Sequence, residues 1–366
     1  MKKKIVLSLI GFLIIALVFF PSCSPKIKYN LPIPMDDTFS QADSNAQSRY
    51  QKAALYSQQH NGFAVVVLEG NNVVFEEYQN GSSATTAHHI FSGTKSFSAA
   101  MVMAAVQDDI LSLDERVADT ITEWKTHPQK SQITVRHLLQ FTSGVQQNFW
   151  RLSYDSFTEK RGVANKYNYA LALPCQQTPG SKFEYGSSHQ MILGEVMRRK
   201  THRSALAYLN HRIFFPINFR YAGWLHDNYG NPMLPYGCWT TAREWCKFGV
   251  LVRDDGAYLG KRILAPGFFR ACSTGTKAMP AYGLNFWLNA EVSDEQRQDL
   301  IPQLRDNPPG RILCAQAPED LIVAAGHNGN RLYIVPSRNL VIARLGNSEK
   351  DYHDEDFLAC IFAGGS

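Results

Sequence analysis

The sequence predicts an α+β fold in which strands from both ends of the chain form one antiparallel sheet. Residues 63–68 and 73–78 are runs rich in β-branched residues that flank a Glu-Gly-Asn-Asn turn sequence, and so they predict a hairpin. Residues 331–335 and 340–345 flank a second turn sequence and predict another. Between the hairpins, from about residue 107 to 260, helical patterns dominate. We therefore expect a mostly α-helical domain inserted into a sheet domain.

Helices are expected at both ends of the sheet domain, at residues 40–59 and 357–362, with the second packed against the first. The insert carries helical signals at residues 134–139, 190–199 and 205–215, and at 245–251 after the capping sequence at 241–244, while 282–288 alternates like a strand. The expected divisions are a signal peptide at 1–23, a tether at 24–40, a sheet domain at 41–106 and 265–366, and the helical insert at 107–264.

Composition excludes several classes of protein. With 45% hydrophobic and 19% charged residues over 366 positions, the chain is not mainly disordered. A net charge of +5 without a dense basic run beyond residues 2–4 does not suggest nucleic acid as a partner.

The beginning of the chain has the pattern of a bacterial export signal. Three lysines at residues 2–4 precede an almost wholly apolar run at 5–20, and Pro-Ser-Cys-Ser follows. The pattern resembles a lipoprotein signal, with Cys23 as the residue lipidated after cleavage, although Phe20 stands where such signals usually carry Leu. The alternative is an uncleaved anchor, but the run is shorter than the ~20 residues of a spanning helix. We expect the rest of the chain in the cell envelope, outside the cytoplasm.

Six further cysteines permit disulfides in that compartment, and buried free thiols are an equal alternative. They are Cys175, Cys238, Cys246, Cys272, Cys314 and Cys360.

The segment Phe-Ser-Gly-Thr-Lys-Ser-Phe at residues 91–97 places a hydroxyl and an amine three residues apart, at the start of a helix predicted to be buried on all sides. A helix beginning near Ser92 places Lys95 on the same face. Backbone N–H groups in the first turn of a helix have no partner within it, so an oxyanion would be stabilised there. Taken alone, so short a motif more often marks a helix cap and a solvated charge.

Two other segments supply candidate partners, at residues 179–188 and 325–330. A reactive serine needs a base, oxyanion donors and a proton source for the leaving group. His88 and His89 have no acidic or cysteine partner nearby in the sequence, and we interpret them as loop residues with no metal role.

Three motifs resemble, in order, those of class C serine β-lactamases and penicillin-binding DD-peptidases, and of related D-aminopeptidases, esterases and nylon-oligomer amidases. The motifs are Ser92-Gly93-Thr94-Lys95, Tyr185-Gly186-Ser187 and His327-Asn328-Gly329. The resemblance covers roughly residues 45–362 and includes matching segments at 133–139, 142–144 and 240–243. It implies a β-lactamase/transpeptidase-like fold and no cofactor.

The resemblance also implies roles for individual residues. Ser92 would be the nucleophile and Lys95 its proton acceptor, and Tyr185 would serve the leaving group. Ser187 and His327-Asn328-Gly329 would contact the substrate, and the N–H groups of Ser92 and Asn330 would form the oxyanion hole.

Proton transfer sets a physical condition on the amine. A lysine with an ordinary pKa of ~10.4 is half neutral at pH 7 only if its surroundings disfavour the charged form by about 4 kcal/mol. Burial can supply this penalty. The pKa of Tyr185 would have to be lowered by a similar amount, and the sequence leaves open which of the two side chains takes the serine proton.

Two positions depart from the β-lactamase pattern. Ser187 stands where Asn is usual, and His327 replaces a Lys suited to a substrate carboxylate. Histidine is mostly neutral at pH 7. These differences favour an exported serine hydrolase acting on an ester or amide of a small molecule or peptide, D-amino-acid peptides included. The alternatives are a DD-peptidase or β-lactamase, and a catalytically weak wall-binding protein of the same fold. The oligomeric state is left open.

Overall fold

The structure is a computed structural model that describes residues 32–41, 47–152, 163–305, 310–347 and 352–363. The expected signal peptide, with Cys23, and residues 24–31 of the expected tether lie outside these ranges. None of the helices formed by the described residues is long and apolar enough to span a membrane.

The described residues form twelve strands and twelve α-helices. In chain order the strands are β1 (Ser40–Gln41), β2 (Gly62–Glu69), β3 (Asn72–Tyr78), β4 (His88–His89), β5 (Gly223–Trp224), β6 (Cys238–Thr240), β7 (Ala257–Tyr258), β8 (Lys261–Arg262), β9 (Trp287–Leu288), β10 (Ile322–Gly326), β11 (Asn330–Val335) and β12 (Leu340–Gly346). The helices are α1 (Gln47–Gln59), α2 (Phe97–Gln107), α3 (Val135–Leu139), α4 (Phe149–Leu152), α5 (Lys166–Ala172), α6 (Ser188–Thr201), α7 (Ala205–Leu209), α8 (Ala242–Arg253), α9 (Phe268–Cys272), α10 (Asp294–Arg297), α11 (Pro302–Arg305) and α12 (Asp354–Phe362).

Seven strands form one sheet in the order β1-β3-β2-β12-β11-β10-β9. Neighbouring strands are antiparallel, except that β1 pairs in parallel with β3 at one edge. Strands from the two ends of the chain meet where β2 pairs with β12. The predicted α+β fold, in which strands from both ends of the chain share one sheet, is therefore confirmed.

Helices cover both faces of this sheet. Val65 and Val67 of β2 pack into an apolar layer with α1 and α12, whereas Val66 and Leu68 pack into the layer on the other face, which includes α2 and α8. Successive side chains of a strand point to opposite faces. Because both faces are buried, β2 is apolar from Phe63 to Leu68 instead of alternating with polar residues.

Two helices on the second face position the site. In α2, which was predicted to be buried on every side, eight of eleven residues are buried. Helix α8 lies against β2, β11 and β12, and Gly249 permits this because a Cβ there would lie 2.5 Å from a Val341 methyl group. Helix α8 falls inside the range assigned to the insert, and the division into domains stays a prediction.

Three predicted elements differ in extent. The helix expected at 40–59 begins only at Gln47, because Ser40 and Gln41 pair with β3. The helix expected at 205–215 ends as α at Leu209 and continues as one π-helical turn.

The strand expected at 282–288 is reduced to Trp287 and Leu288. Gly283 approaches so closely that a Cβ there would lie 1.9 Å from the Cys272 carbonyl oxygen, and Asn285 has a φ of 59°. This backbone turns instead of extending.

All six remaining cysteines are free thiols. Five of them are buried, and those five pack as small apolar side chains.

Candidate active site

Ser92 lies on a 3₁₀-helical turn, Phe91–Ser96, that leads directly into α2. The sequence predicted an α-helix from Ser92. A 3₁₀-helix has three residues per turn, so side chains three apart are aligned one above the other. The Lys95 Nζ atom accordingly lies 2.9 Å from Ser92 Oγ.

Lys95 is buried, with 3% of its surface exposed. Its Nζ also donates to the Pro235 carbonyl oxygen at 2.9 Å and lies 5.1 Å from the centre of the Tyr185 ring. Burial disfavours the charged ammonium and lowers the pKa of Lys95 to about 7. A substantial fraction of Lys95 is therefore neutral at neutral pH, as proton transfer from a serine requires. Nothing in the sequence pointed to Pro235.

Two glycines let other elements contact this turn. A Cβ at Gly326 of β10 would lie 2.0 Å from the Ile90 carbonyl oxygen and 3.0 Å from the Gly93 nitrogen. A Cβ at Gly93 itself would lie 2.5 Å from a ring carbon of Trp245 in α8. The turn at residues 91–96 is thus held between the end of β10 and α8, and no local signal in the sequence indicated this contact of Trp245.

Phe91, directly before Ser92, adopts a φ of 46°. This left-handed conformation is rare for a bulky residue and costs of order 1–3 kcal/mol, which the surrounding structure must outweigh. The Phe91 ring contacts the His89 ring at 3.9 Å and meets the His327 ring edge to face at 5.5 Å between centres. Phe91 therefore forms part of an aromatic wall beside Ser92.

Tyr185 enters the site from the segment before α6. Its ring stacks on Trp287 at 5.3 Å and meets Phe141 edge to face at the same distance. Ser187 occupies the position before α6, and its side chain makes no capping hydrogen bond to the helix. Tyr185 is thus positioned by aromatic packing next to Lys95.

The second motif is supported by Gln147, which the sequence did not single out. Its amide donates to the Val145 carbonyl oxygen at 2.9 Å and accepts from the Ser188 N–H at 3.1 Å. The side chain lies directly over Gly186, where a Cβ would be 1.9 Å from Gln147 Oε1. Gln147 thereby holds the backbone on both sides of Ser187.

The third motif, His327-Asn328-Gly329, forms the turn between β10 and β11. Asn328 and Gly329 have φ values of 62° and 69°, and the His327 side chain is exposed. Asn330 is fully buried, and its N–H and its side-chain amide donate to the His327 carbonyl oxygen at 3.4 and 2.6 Å. An oxyanion hole that uses the Asn330 N–H would have to break the longer of these bonds.

His88 and His89 form β4 and are strand residues, not loop residues. His88 bonds Ser82 Oγ at 2.8 Å and stacks on Phe63, while His89 contacts the Tyr236 carbonyl oxygen and stacks on Trp239. Burial lowers the pKa of each histidine to about 4. Within the described ranges, no group of three His, Cys, Asp or Glu side chains could hold a metal ion.

The structure brings Ser92, Lys95 and Tyr185 together and places His327 next to them across Phe91. Ser187 follows Tyr185 at the start of α6, whereas Asn330 is directed into the fold. The chemical roles of these residues stay predictions.

Several known proteins are similar to this chain in sequence or in structure. A relative in Alkalihalophilus pseudofirmus, an uncharacterised protein, is 24% identical over 329 residues, which cover 81% of this chain and 87% of the relative. A protein of Bacillus anthracis, provisionally named a 6-aminohexanoate-dimer hydrolase, superimposes with a TM-score of 0.68 at 18% identity, covering 92% of this chain and 89% of its own. A D-stereospecific amidohydrolase from a Streptomyces species superimposes with a TM-score of 0.61 at 14% identity, covering 88% and 100% of the two chains.

Both structural similarities are below 25% identity and show the fold alone. The sequence model of a family described as Beta-lactamase matches residues 36–359, which is most of the chain and includes all three motifs. With the fold, this match establishes that the chain belongs to the beta-lactamase family.

Proposed function

We propose that this protein is a serine hydrolase that cleaves an ester or amide bond through an acyl-enzyme on Ser92. The observation that carries the proposal is the 2.9 Å contact between Ser92 Oγ and a Lys95 amine whose pKa burial lowers to about 7. A neutral amine at hydrogen-bond distance is what a serine hydroxyl needs to become a nucleophile near neutral pH.

In the first step, neutral Lys95 accepts the Ser92 proton while Oγ bonds to the substrate carbonyl carbon. The C=O electron pair moves to oxygen and gives a tetrahedral oxyanion. Ser92 lies in the first turn of a helical segment, where backbone N–H groups are available as donors. We keep the Asn330 N–H as the second donor, and its long, 3.4 Å hydrogen bond to the His327 carbonyl oxygen is the bond that would break when the oxyanion forms.

Collapse of the oxyanion breaks the bond to the leaving alcohol or amine, which takes a proton from the Lys95–Tyr185 pair and departs. Water then attacks the acyl carbon, its proton passes to the same pair, and Ser92 is released when its Oγ recovers a proton. The Lys95 amine lies 5.1 Å from the centre of the Tyr185 ring, and this proximity supports Tyr185 as the second member of the pair.

The aromatic wall formed by Phe91 and His327 supports an uncharged group next to the scissile bond. A histidine in place of a lysine supplies no permanent cation for a substrate carboxylate. The names of the similar structures, an amidohydrolase and a 6-aminohexanoate-dimer hydrolase, support an amide or ester of a small molecule or peptide, D-amino-acid peptides included.

The proposed location is the periplasmic side of the bacterial envelope, with Cys23 as a lipid anchor, supported by the basic, apolar and small-residue order of residues 2–24. Replacing Cys23 with Ser should move the protein from the membrane fraction to the soluble fraction. Unchanged membrane retention of the C23S protein would point to an uncleaved anchor.

A fluorescent fluorophosphonate tests the proposed nucleophile. The wild type should carry one label on the peptide that contains Ser92, and Ser92→Ala should carry none. Ser98→Ala is the matched control, because the buried Ser98 hydroxyl has no hydrogen-bond partner among the described residues and its loss should leave labelling intact. Absence of wild-type labelling, or labelling that persists in Ser92→Ala, contradicts the proposal.

The same proteins should be incubated with fluorescent penicillin and a panel of p-nitrophenyl esters, D-alanyl amides and nitrocefin. Hydrolysis of esters or amides with weak penicillin labelling is the expected result. Strong penicillin labelling at Ser92 would instead place cell-wall peptides or lactams first among the substrates.

A further inference from the structure

Two buried arginines lie directly behind the turn at residues 326–330. Arg331 and Arg344 are 1% and 0% exposed, and they face each other across β11 and β12. Residues directly opposite in an antiparallel pair point to the same face of the sheet. Buried charges are costly unless each donor has an acceptor, so the acceptors that these side chains reach are informative.

Arg344 directs its donors at backbone oxygens of the turn and of the segment after α1. Its Nη1 donates to the Gly329 carbonyl at 2.7 Å, and its Nη2 donates to the His60 carbonyl at 2.7 Å. Its Nε donates to Ser57 Oγ at 3.1 Å, and the guanidinium lies 3.9 Å from the centre of the Tyr352 ring. One planar guanidinium thus joins the turn to two distant parts of the chain, the end of α1 and Tyr352.

Arg331 holds the two ends of the same turn. Its Nη1 donates to the carbonyl oxygens of Gly326 at 2.7 Å and of Asn330 at 3.1 Å. The other edge of its guanidinium forms two hydrogen bonds with Asp354 of α12, at 2.8 and 3.1 Å. Asp354 also accepts from the Tyr333 hydroxyl at 2.5 Å. The turn is therefore linked to α12 by a fully buried ion pair.

The glycine of the third motif fits this arrangement. A Cβ at Gly329 would lie 2.1 Å from Arg344 Nη1, so any side chain at 329 would displace the guanidinium. The carbonyl groups of Gly326, Gly329 and Asn330 are all bonded to the two arginines on the inner side. Because three of its carbonyl groups are bonded to these arginines, the 326–330 turn is held in one orientation relative to the turn at residues 91–96. Gly326 packs against that second turn.

We propose that Arg344, together with Arg331, is a positioning residue for the reaction at Ser92: the pair holds the 326–330 turn so that His327 stays beside the nucleophile. This inference rests on the proposed function. It predicts that loss of Arg344 slows the chemical step more than it weakens substrate binding, because displacing groups that stabilise the transition state lowers kcat.

The test compares Arg344→Gln and Arg344→Lys with a matched control, Arg243→Gln. Arg243 is also a buried arginine, with 9% exposure, and forms two hydrogen bonds with Glu76 at 2.7 and 2.9 Å, but it joins α8 to β3 and does not contact the turn. The readouts are the rate of fluorophosphonate labelling at Ser92, kcat and KM for an ester that the wild type hydrolyses, and the thermal midpoint.

Arg344→Gln should lower kcat and the labelling rate by roughly tenfold or more, with KM changed by less than about threefold. Arg344→Lys keeps the charge but loses the fixed fork, so its rates should fall between those of Arg344→Gln and the wild type. Arg243→Gln should lower the thermal midpoint while leaving kcat and labelling within about twofold of the wild type.

Equal labelling rates in folded Arg344→Gln and wild type overturn the positioning role and leave the proposed function intact. An equal loss of kcat in Arg243→Gln also overturns it, since the effect would then be one of general stability. If Arg344→Gln does not fold, Arg344→Lys decides, and wild-type kcat in that variant overturns the proposal. A wild type that does not label at Ser92 overturns both.

Discussion

Lys95 and Arg331 are both buried cations, but their surroundings differ. Lys95 bonds a hydroxyl and a backbone carbonyl on the side of the sheet where the nucleophile lies, with 3% of its surface exposed. Arg331 is 1% exposed and forms a two-bond ion pair with Asp354. Among the described residues the Lys95 amine bonds neutral oxygens and no carboxylate, whereas the Arg331 guanidinium is paired with one.

The pKa values follow from this difference. Burial lowers the pKa of Lys95 to about 7, so the amine can gain and lose a proton near neutral pH. Burial also lowers the pKa of Arg331, but the Asp354 carboxylate and the nearby Tyr333 outweigh it and leave the pKa raised. A buried amine with only neutral acceptors can thus exchange a proton near neutral pH, whereas a guanidinium paired with an anion keeps its charge.

The largest expected effect comes from replacing Lys95. Lys95→Met should lower kcat/KM about a thousandfold, or ~4 kcal/mol, because Ser92 loses its proton acceptor. Lys95→Arg should be similarly inactive, since a guanidinium does not give up its proton. Steady-state kinetics on an ester substrate measures both.

Lys247→Met is the control for this comparison. Lys247 is a buried lysine whose amine bonds Glu244 and Asp36 at 2.9 and 2.7 Å, far from Ser92 in the chain. The variant should lose stability and keep wild-type kcat. Full activity in Lys95→Met would show that Tyr185 alone accepts the proton.

A smaller effect is expected from breaking the structural ion pair. Asp354→Asn leaves the buried Arg331 without its anion and should reduce the free energy of unfolding by about 3 kcal/mol. Urea unfolding followed by circular dichroism measures this at pH 7. A loss below about 1 kcal/mol would mean that the carbonyl oxygens of Gly326 and Asn330 suffice to satisfy Arg331.

The smallest expected effect is the pH dependence. Only the neutral amine accepts a proton, so kcat/KM should fall about tenfold per pH unit below the pKa of about 7 and level off above it. A pH–rate profile of the wild type between pH 5 and 9 tests this. A flat profile, or activity that rises as the pH falls, would contradict a neutral Lys95 as the base.

The same lowered pKa has a consequence for stability. The pKa of Lys95 is about 7 in the folded chain and ~10.4 in the unfolded chain. Between these two pH values the unfolded chain binds more protons at Lys95, so the contribution of this residue to the free energy of unfolding rises with pH. Comparing wild type with Lys95→Met at pH 7 and pH 10 should show the difference.

The fold could be predicted from the sequence because most of its strands and helices have strong local patterns. The apolar run of β2, the turn before β3 and the wholly apolar α2 each indicate their structure locally, and both hairpins were found. The prediction was wrong where a close contact between distant segments determines the backbone conformation. The segment at 282–288 alternates like a strand, yet contact with the Cys272 carbonyl at Gly283 turns it.

In the candidate site, too, some residues could be predicted from the sequence and others are shown only by the structure. The three motifs named Ser92, Lys95, Tyr185 and His327 as neighbours, and the structure places them together. The residues that hold them in place carry no local pattern, because they act through contacts to segments distant in the chain; they are Pro235, Gln147 and Arg344.

By itself, then, the sequence determined which segments become strands or buried helices and that a hydroxyl precedes an amine by three residues. Only the tertiary structure decided that this amine has a pKa near neutrality and that two buried arginines hold the turn opposite it. The reason is that local conformation follows from neighbouring residues, whereas the free energy of a charge depends on how much water and which polar groups the folded chain leaves around it.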